Sequence, residues 1–215
     1  MADDPQQVAQ LAILGRITSI NVRKVCWTAD LIGLSYRTEV WGLPHRDPHE
    51  AEYLKLNPNA QVPVILDDGF VLWESGAIVR YLAEKHRSGL WPTDIKERAL
   101  VDQWVTWQGT ELNPPWMYAV HALLRKNPAY TDKARIEDSI ARWGSAMRIL
   151  EAQLRQTGSY VVNGRQSLAD IVIALSSHRW FSTPFDRPDL PAVAAHYEMM
   201  KATPEGAKYL ADATP

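Results

Sequence analysis

The hydrophobic period of this sequence changes once, around Ser88–Thr93, and no other feature limits the possible folds so strongly. Ahead of that point, short apolar runs alternate with helix-period stretches. Leu11-Ala12-Ile13-Leu14, closed by Gly15, is too short for a helix and reads as a buried strand. From Asn21 to Leu34 the apolar residues Val22, Val25, Cys26, Ala29 and Ile32 recur at three- and four-residue intervals, which predicts an amphipathic helix stopped at Gly33. Tyr36–Trp41 reads as a second strand, and Pro44–His49 as a loop into a short helix that ends before Pro58. A third strand, Gln61–Leu66, is interrupted by Pro63; Asp67-Asp68-Gly69 is a turn, and Phe70–Trp73 is a fourth strand. A last helix runs from Glu74 to His86 with Ile78, Tyr81 and Leu82 on one face. Beyond Asp94 nothing alternates like a strand, and helices are expected at 94–126, bent or broken by Pro114-Pro115, and at 132–156, 167–181 and 190–201. The fold class is therefore α/β plus all-α, a β-α-β-α-β-β-α layer followed by a helical bundle. The expected domains are 1–87, with 1–9 a loose tail, a connector 88–93, and a helical domain 94–215.

Charge and cysteine usage narrow the functions such a chain can have. A formal charge of −2 and a pI near 6.3 carry no electrostatic footprint for nucleic acid or an anionic membrane surface. No apolar run approaches the roughly 18 residues that a membrane span needs. The first basic residue is Arg16, so the start lacks the charged region of a secretory leader, and a cytoplasmic protein is expected. A single cysteine excludes an internal disulfide and any multi-cysteine metal site, and no metal is expected. That residue, Cys26, falls on the apolar helix face and reads as a packing thiol.

Three segments carry residue types suited to chemistry. In Gly15–Val25 a strand ends and a helix begins near Ser19 and Asn21, placing a hydroxyl and an amide where free N–H groups and the positive dipole end favour an anion such as a thiolate. The plainer reading makes either residue a helix cap. Gln61-Val62-Pro63 follows Asn57-Pro58-Asn59-Ala60 and puts a proline in a strand, where a cis bond exposes the N–H and C=O of the preceding residue to an extended peptide. An ordinary edge strand is the alternative. Glu74-Ser75 sets an acid and a hydroxyl at a helix start, suited to the ammonium and carboxylate of one amino-acid terminus, or simply to capping. Farther on, Ser167 and Asp170 have the spacing of a reciprocal cap, and here the structural reading prevails.

Taken together, SINVRKV, NPNAQVPVI and DGFVLWESGAIVRYL, with YVVNG and SLADI in the helical half, resemble the cytosolic glutathione transferase family over about residues 10–205. The resemblance implies a thioredoxin-like domain plus a helical bundle, a homodimer, and glutathione as co-substrate. Ser19 matches the serine that hydrogen-bonds the glutathione sulfur in theta-like members, and Asn21 matches the asparagine of nu-like bacterial members. By the same match Val62 holds the cysteinyl backbone with Pro63 as the cis-proline, Gln61 sits nearby, and Glu74 and Ser75 hold the γ-glutamyl end. For the glycyl carboxylate, His45, Arg46, His49 and Lys55 lie in the right stretch, and His49 is carried forward. Trp104, Trp107 and Trp116 cluster near Asn113-Pro114-Pro115, and Trp116 and Tyr118 are taken for the co-substrate pocket with Arg179 and Trp180 as further candidates, an ordinary aromatic helix core being the alternative. The cysteine of beta-like members and the serine-serine-cysteine run of zeta-like members are absent, which disfavours isomerase chemistry. The implied activity is attack of glutathione thiolate on a hydrophobic electrophile. Alternatives are glutathione-dependent reduction of a disulfide or peroxide and a non-catalytic binding or scaffold role.

Overall fold

The computed structural model describes residues 11–162 and 164–211, so the expected loose tail lies outside the described residues. The chain divides into two compact units, Met1–Leu82 and Ala83–Pro215. In the first the order is β1 (Leu11–Leu14), α1 (Ile20–Ile32), β2 (Tyr36–Glu39), α2 (Ala51–Leu54), β3 (Val64–Asp67), β4 (Phe70–Trp73) and α3 (Ser75–Lys85), the order expected from the sequence. The four strands form one mixed sheet in the order β2-β1-β3-β4, with β1 parallel to β2 and antiparallel to β3. β1 is buried along its whole length because it is central and covered on both faces, which is why its run is continuously apolar. Ala12 and Leu14 share a core with Trp41, Tyr53 and Val64, against which Val62 packs.

Local chemistry ends the elements where the sequence signals it. Gly33 takes the left-handed conformation (φ 75°), its N–H donates to Asp30, and the Leu34 N–H donates to Ala29, which closes α1. Asp68 and Gly69 both have positive φ, the two-residue hairpin turn that a right-twisted strand pair requires. Two strand ends differ from the sequence reading. β2 stops at Glu39, two residues early, because Trp41 leaves the ladder to bridge with Arg46. β3 begins at Val64 rather than Gln61, because the Val62–Pro63 bond is cis and Pro63 has no N–H for the ladder.

The second unit is helical among its described residues. α4 (Ile95–Trp107) runs through a π-helical turn, Gln108–Leu112, into α5 (Asn113–Ala119) and a second π-helical turn, Val120–Leu124. The proline pair therefore neither breaks nor ends the expected helix. Pro114 and Pro115 occupy the first turn of α5, directly after the π turn, a place where prolines are tolerated. α6 (Lys133–Thr157), α7 (Leu168–Ser182), α8 (Pro191–Lys201) and α9 (Pro204–Tyr209) complete the unit, and α9 was not expected from the sequence. Its start is Thr203, whose hydroxyl accepts from the Gly206 N–H at 3.0 Å, and Gly206 is required because a Cβ there would stand 1.8 Å from the Met200 carbonyl oxygen. Ser167 and Asp170 form the reciprocal cap on α7. No helix of the described residues is long and apolar enough to cross a membrane.

α8 has no side-chain cap of its own. Its N-terminus is served by Glu151 of α6, whose Oε2 accepts from the Val193 N–H at 3.0 Å while Oε1 accepts from Arg155 at 2.7 Å. Burial pushes the Glu151 carboxyl upward, but the bonds from Val193, Arg155 and Ala192 outweigh it and hold its pKa below the ordinary 4.5. Replacing Glu151 by Ala leaves a buried helix N–H unpaired and is expected to cost about 1–3 kcal/mol in urea unfolding at neutral pH. Because the native pKa is the lower one, this contribution is complete above pH 4.5 and is lost as pH falls through the native value, so wild type and variant converge in acid.

Candidate active site

The sheet register gathers segments that are far apart in sequence. Leu14, the last residue of β1, pairs with Val64, the first of β3, and Val64 in turn pairs with Trp73, the last of β4. One end of the sheet therefore carries the turn to Ser19, the Gln61–Pro63 bend and the Trp73-Glu74-Ser75 step together. β2 ends there too, since Leu14 pairs in parallel with Glu39, and so brings the 41–49 loop to the same end. Gly15 makes the approach close enough: a Cβ at this position would stand 2.5 Å from Val22 Cγ2 and 3.1 Å from Val62 Cβ.

Ser19 occupies the cap position of α1 in extended conformation, yet its hydroxyl makes no capping bond, and Asn21 lies half-exposed in the first turn. Neither the cap nor the first turn of α1 contains an acid. The contrast with the helical unit is informative. There α4 and α6 are capped by Asp94 and Asp132, α7 by Asp170, α8 by Glu151, and α9 has Glu205 in its first turn. A carboxylate complements the partial positive charge of each of those termini, whereas the cap and first turn of α1 supply none of their own.

The bend before β3 is held by groups that sequence reasoning passed over. The Gln61 carbonyl accepts from the Tyr53 hydroxyl and from Asn57 Nδ2, both at 2.8 Å, and Asn57 Oδ1 accepts from the Asn59 N–H at 3.0 Å. Burial pushes the Tyr53 phenol up, so it remains a neutral donor. The signal in the sequence was Asn57-Pro58, an amide placed to bond its own loop. Val62 itself stands outside the ladder that begins at Val64. Beyond β4, Glu74 is exposed and has φ 71°, a left-handed conformation uncommon for a side chain of this size, and Ser75 opens α3 almost fully buried.

The four cations of the loop have different surroundings. Arg46 stacks over the Trp41 ring at 3.6 Å and pairs with Glu50 and Glu52, so its charge is already matched. His49 is exposed and its Nδ1 lies 2.9 Å from Asp47 Oδ1; the His49 backbone and ring together hold the Asp47 carboxyl below its ordinary value. That contact fixes the ring and turns Nε2 away from Asp47. His45 and Lys55 are exposed.

In the helical unit, Trp116 donates its Nε1–H to Asn113 at 3.0 Å and lies 4.0 Å beneath the Arg179 guanidinium. Tyr118 instead lines an open cleft of about 490 Å³ with Pro114, Pro115, Tyr130 and Arg135. Trp180 is fully buried in an edge-on pair with Trp143. Cys26 is buried in α1, as its place on the apolar face implied. The described residues contain no cluster of three metal-ligating side chains.

This architecture, a thioredoxin-like layer whose helix start, cis-proline bend and acid-hydroxyl step meet at one sheet end, followed by a helical domain, defines a known class of protein. Residues 18–85 match the model of the glutathione S-transferase N-terminal domain. The chain is 29% identical to glutathione S-transferase GstB of Escherichia coli over 90% of its own length and 94% of that protein. It is 30% identical to glutathione S-transferase D7 of Drosophila melanogaster, over 80% and 75% respectively. The theta class enzyme of Xanthomonas axonopodis pv. citri, solved with glutathione bound, superposes with a TM-score of 0.90 at 33% identity, covering 96% of this chain and all of that one. The chain belongs to the glutathione S-transferase family.

Gly15 offers a direct check on the sheet-end geometry. Gly15→Ala forces its new methyl into Val22 and Val62 and is expected to lower stability by about 1–3 kcal/mol, read as a melting temperature several degrees lower. The same variant is expected to weaken glutathione binding in calorimetry, since relief of the clash displaces either α1 or the bend.

Proposed function

We propose that this chain is a glutathione transferase in which the Ser19 hydroxyl donates to the glutathione sulfur and holds it as thiolate for attack on a hydrophobic electrophile. The observation that carries this reading is the start of α1, where Ser19 stands at the cap position with a hydroxyl that makes no capping bond and the first turn holds no acid. A thiolate is the anion such a terminus favours, and the combined dipole and hydrogen bond draw the thiol below its free pKa of about 8.5. The thiolate sulfur then forms a bond to the electrophilic carbon, whose leaving group departs with its electron pair; the protein's part is ionisation and placement.

The remaining contacts follow the shape of the tripeptide. Val62, beside cis Pro63 and behind the Gln61 carbonyl held by Tyr53 and Asn57, pairs with the cysteinyl main chain. Glu74 takes the γ-glutamyl ammonium, while Ser75 and the N–H groups opening α3 take its carboxylate. His49, oriented by Asp47, meets the glycyl carboxylate. In this reading 1–87 binds glutathione, 88–93 is the connector, and 94–215 supplies the co-substrate contacts, with Trp116 and Tyr118 among them. The protein works in the cytoplasm as a homodimer.

Ser19→Ala is expected to lower kcat/KM for conjugation of a chlorinated nitroarene by about 10- to 100-fold, the value of a hydrogen bond to a charged group. Asn21→Ala is expected to change it less than tenfold, and His49→Ala to weaken glutathione binding by less than tenfold, as for an exposed ion pair. The opposite order for Ser19 and Asn21, together with turnover of hydroxyethyl disulfide in place of the arene, would replace the transferase by the glutathione-dependent reductase. Absence of glutathione uptake at millimolar concentration by folded protein would end both readings.

A further inference from the structure

The turn that presents Ser19 is not held by packing. Ile17 is 52% exposed, Thr18 is exposed, and their side chains bury little against the domain. Polar tethers fix it instead. The Ser19 N–H donates to the Arg16 carbonyl at 3.0 Å, the Arg23 N–H donates to the Ser19 carbonyl at 3.0 Å, and Arg23 Nε donates to the Ile17 carbonyl at 2.9 Å. Arg23 therefore grips the turn on both sides of Ser19, once with its main chain and once with its side chain. It does so from a position only 3% exposed, with its charge inside the domain one helical turn beyond the α1 start. The neighbouring cations have other places: Arg16 donates to the Leu43 carbonyl across the loop, and Lys24 is buried on the following helix position.

We infer that Arg23 is a positioning residue for the sulfur site, fixing through its bond to the Ile17 carbonyl the angle at which Ser19 meets a thiol. The inference rests on the proposed role of Ser19. A planar guanidinium suits the task because its rigid fork holds the Nε donor on the Ile17 carbonyl. Its effect is on the ionisation of the bound thiol, not on the grip of the tripeptide main chain, which lies with the Val62 bend and the Glu74-Ser75 step.

The test is to titrate thiolate absorbance of protein-bound glutathione in wild type, Arg23→Gln, Arg23→Lys and Ser19→Ala, with S-methylglutathione affinity measured beside it. In Arg23→Gln the ionisation midpoint is expected to move about one pH unit higher, as when a hydrogen bond from Ser19 to a charged sulfur is weakened by misplacement of the turn. The pH profile of kcat/KM should follow it, so that activity recovers in alkali, while S-methylglutathione binds within about threefold of wild type. Arg23→Lys, which keeps a flexible donor without the planar fork, is expected to fall between wild type and Arg23→Gln. An unchanged midpoint in Arg23→Gln, with only a lower melting temperature, overturns the role of Arg23 and leaves that of Ser19 standing. Should Arg23→Gln not fold, Arg23→Lys decides alone: a midpoint and kcat/KM equal to wild type overturn the inference. A wild-type midpoint at the free-thiol value, or one unmoved by Ser19→Ala, overturns the reading of Ser19 and this inference with it.

Discussion

The backbone ladder between β1 and its two neighbours is the constraint on which the rest of the N-terminal unit depends. Pairing Leu14 with Val64 on one side and Glu39 on the other fixes which chain ends meet, and pairing Val64 with Trp73 extends the same edge to α3. A slip of one residue would turn every β1 side chain to the opposite face, so the apolar filling of the sheet and the alignment of the site are one requirement. Gly15 is where the two demands meet, because the strand must be packed up to its last residue and still leave room for Val22 and Val62.

Electrostatics divides the helices by task. Those that only support the helical unit finish their N-termini with carboxylates, from caps, from the Ser167–Asp170 box, or from Glu151 reaching across from α6 to α8. α1 has none, and the cations Arg23 and Lys24 follow within its first two turns, both nearly fully buried.

Rigidity around the bend comes from polar side chains in apolar surroundings. Tyr53 packs against Trp41 with ring centres 4.7 Å apart and delivers its hydroxyl to the Gln61 carbonyl, where buried Asn57 arrives from the other side. A carbonyl with two donors is costly to disturb, so the bend ahead of β3 is held in place by its own domain. The helical unit uses a related device, with Gln108 bonding both Asn113 and Ser176 at the first π turn, which keeps the start of α5 in place despite its two prolines.

The sequence by itself determined the order of elements, the change from strand to helix period, the stops at Gly33 and Asp68-Gly69, the α7 cap, and the residue types at Ser19, Val62-Pro63 and Glu74-Ser75. These are local properties, written in spacing and in the chemistry of chain ends. Only the tertiary structure decided that those segments share one sheet end, since strand register depends on contacts between residues fifty positions apart. It alone separated Arg46, matched by two glutamates and Trp41, from His49 beside Asp47, and it alone brought the Arg23 side chain back to Ile17. The π turns, the early end of β2 and the short α9 were equally invisible, because each is settled by which carbonyl finds a donor after the chain has packed.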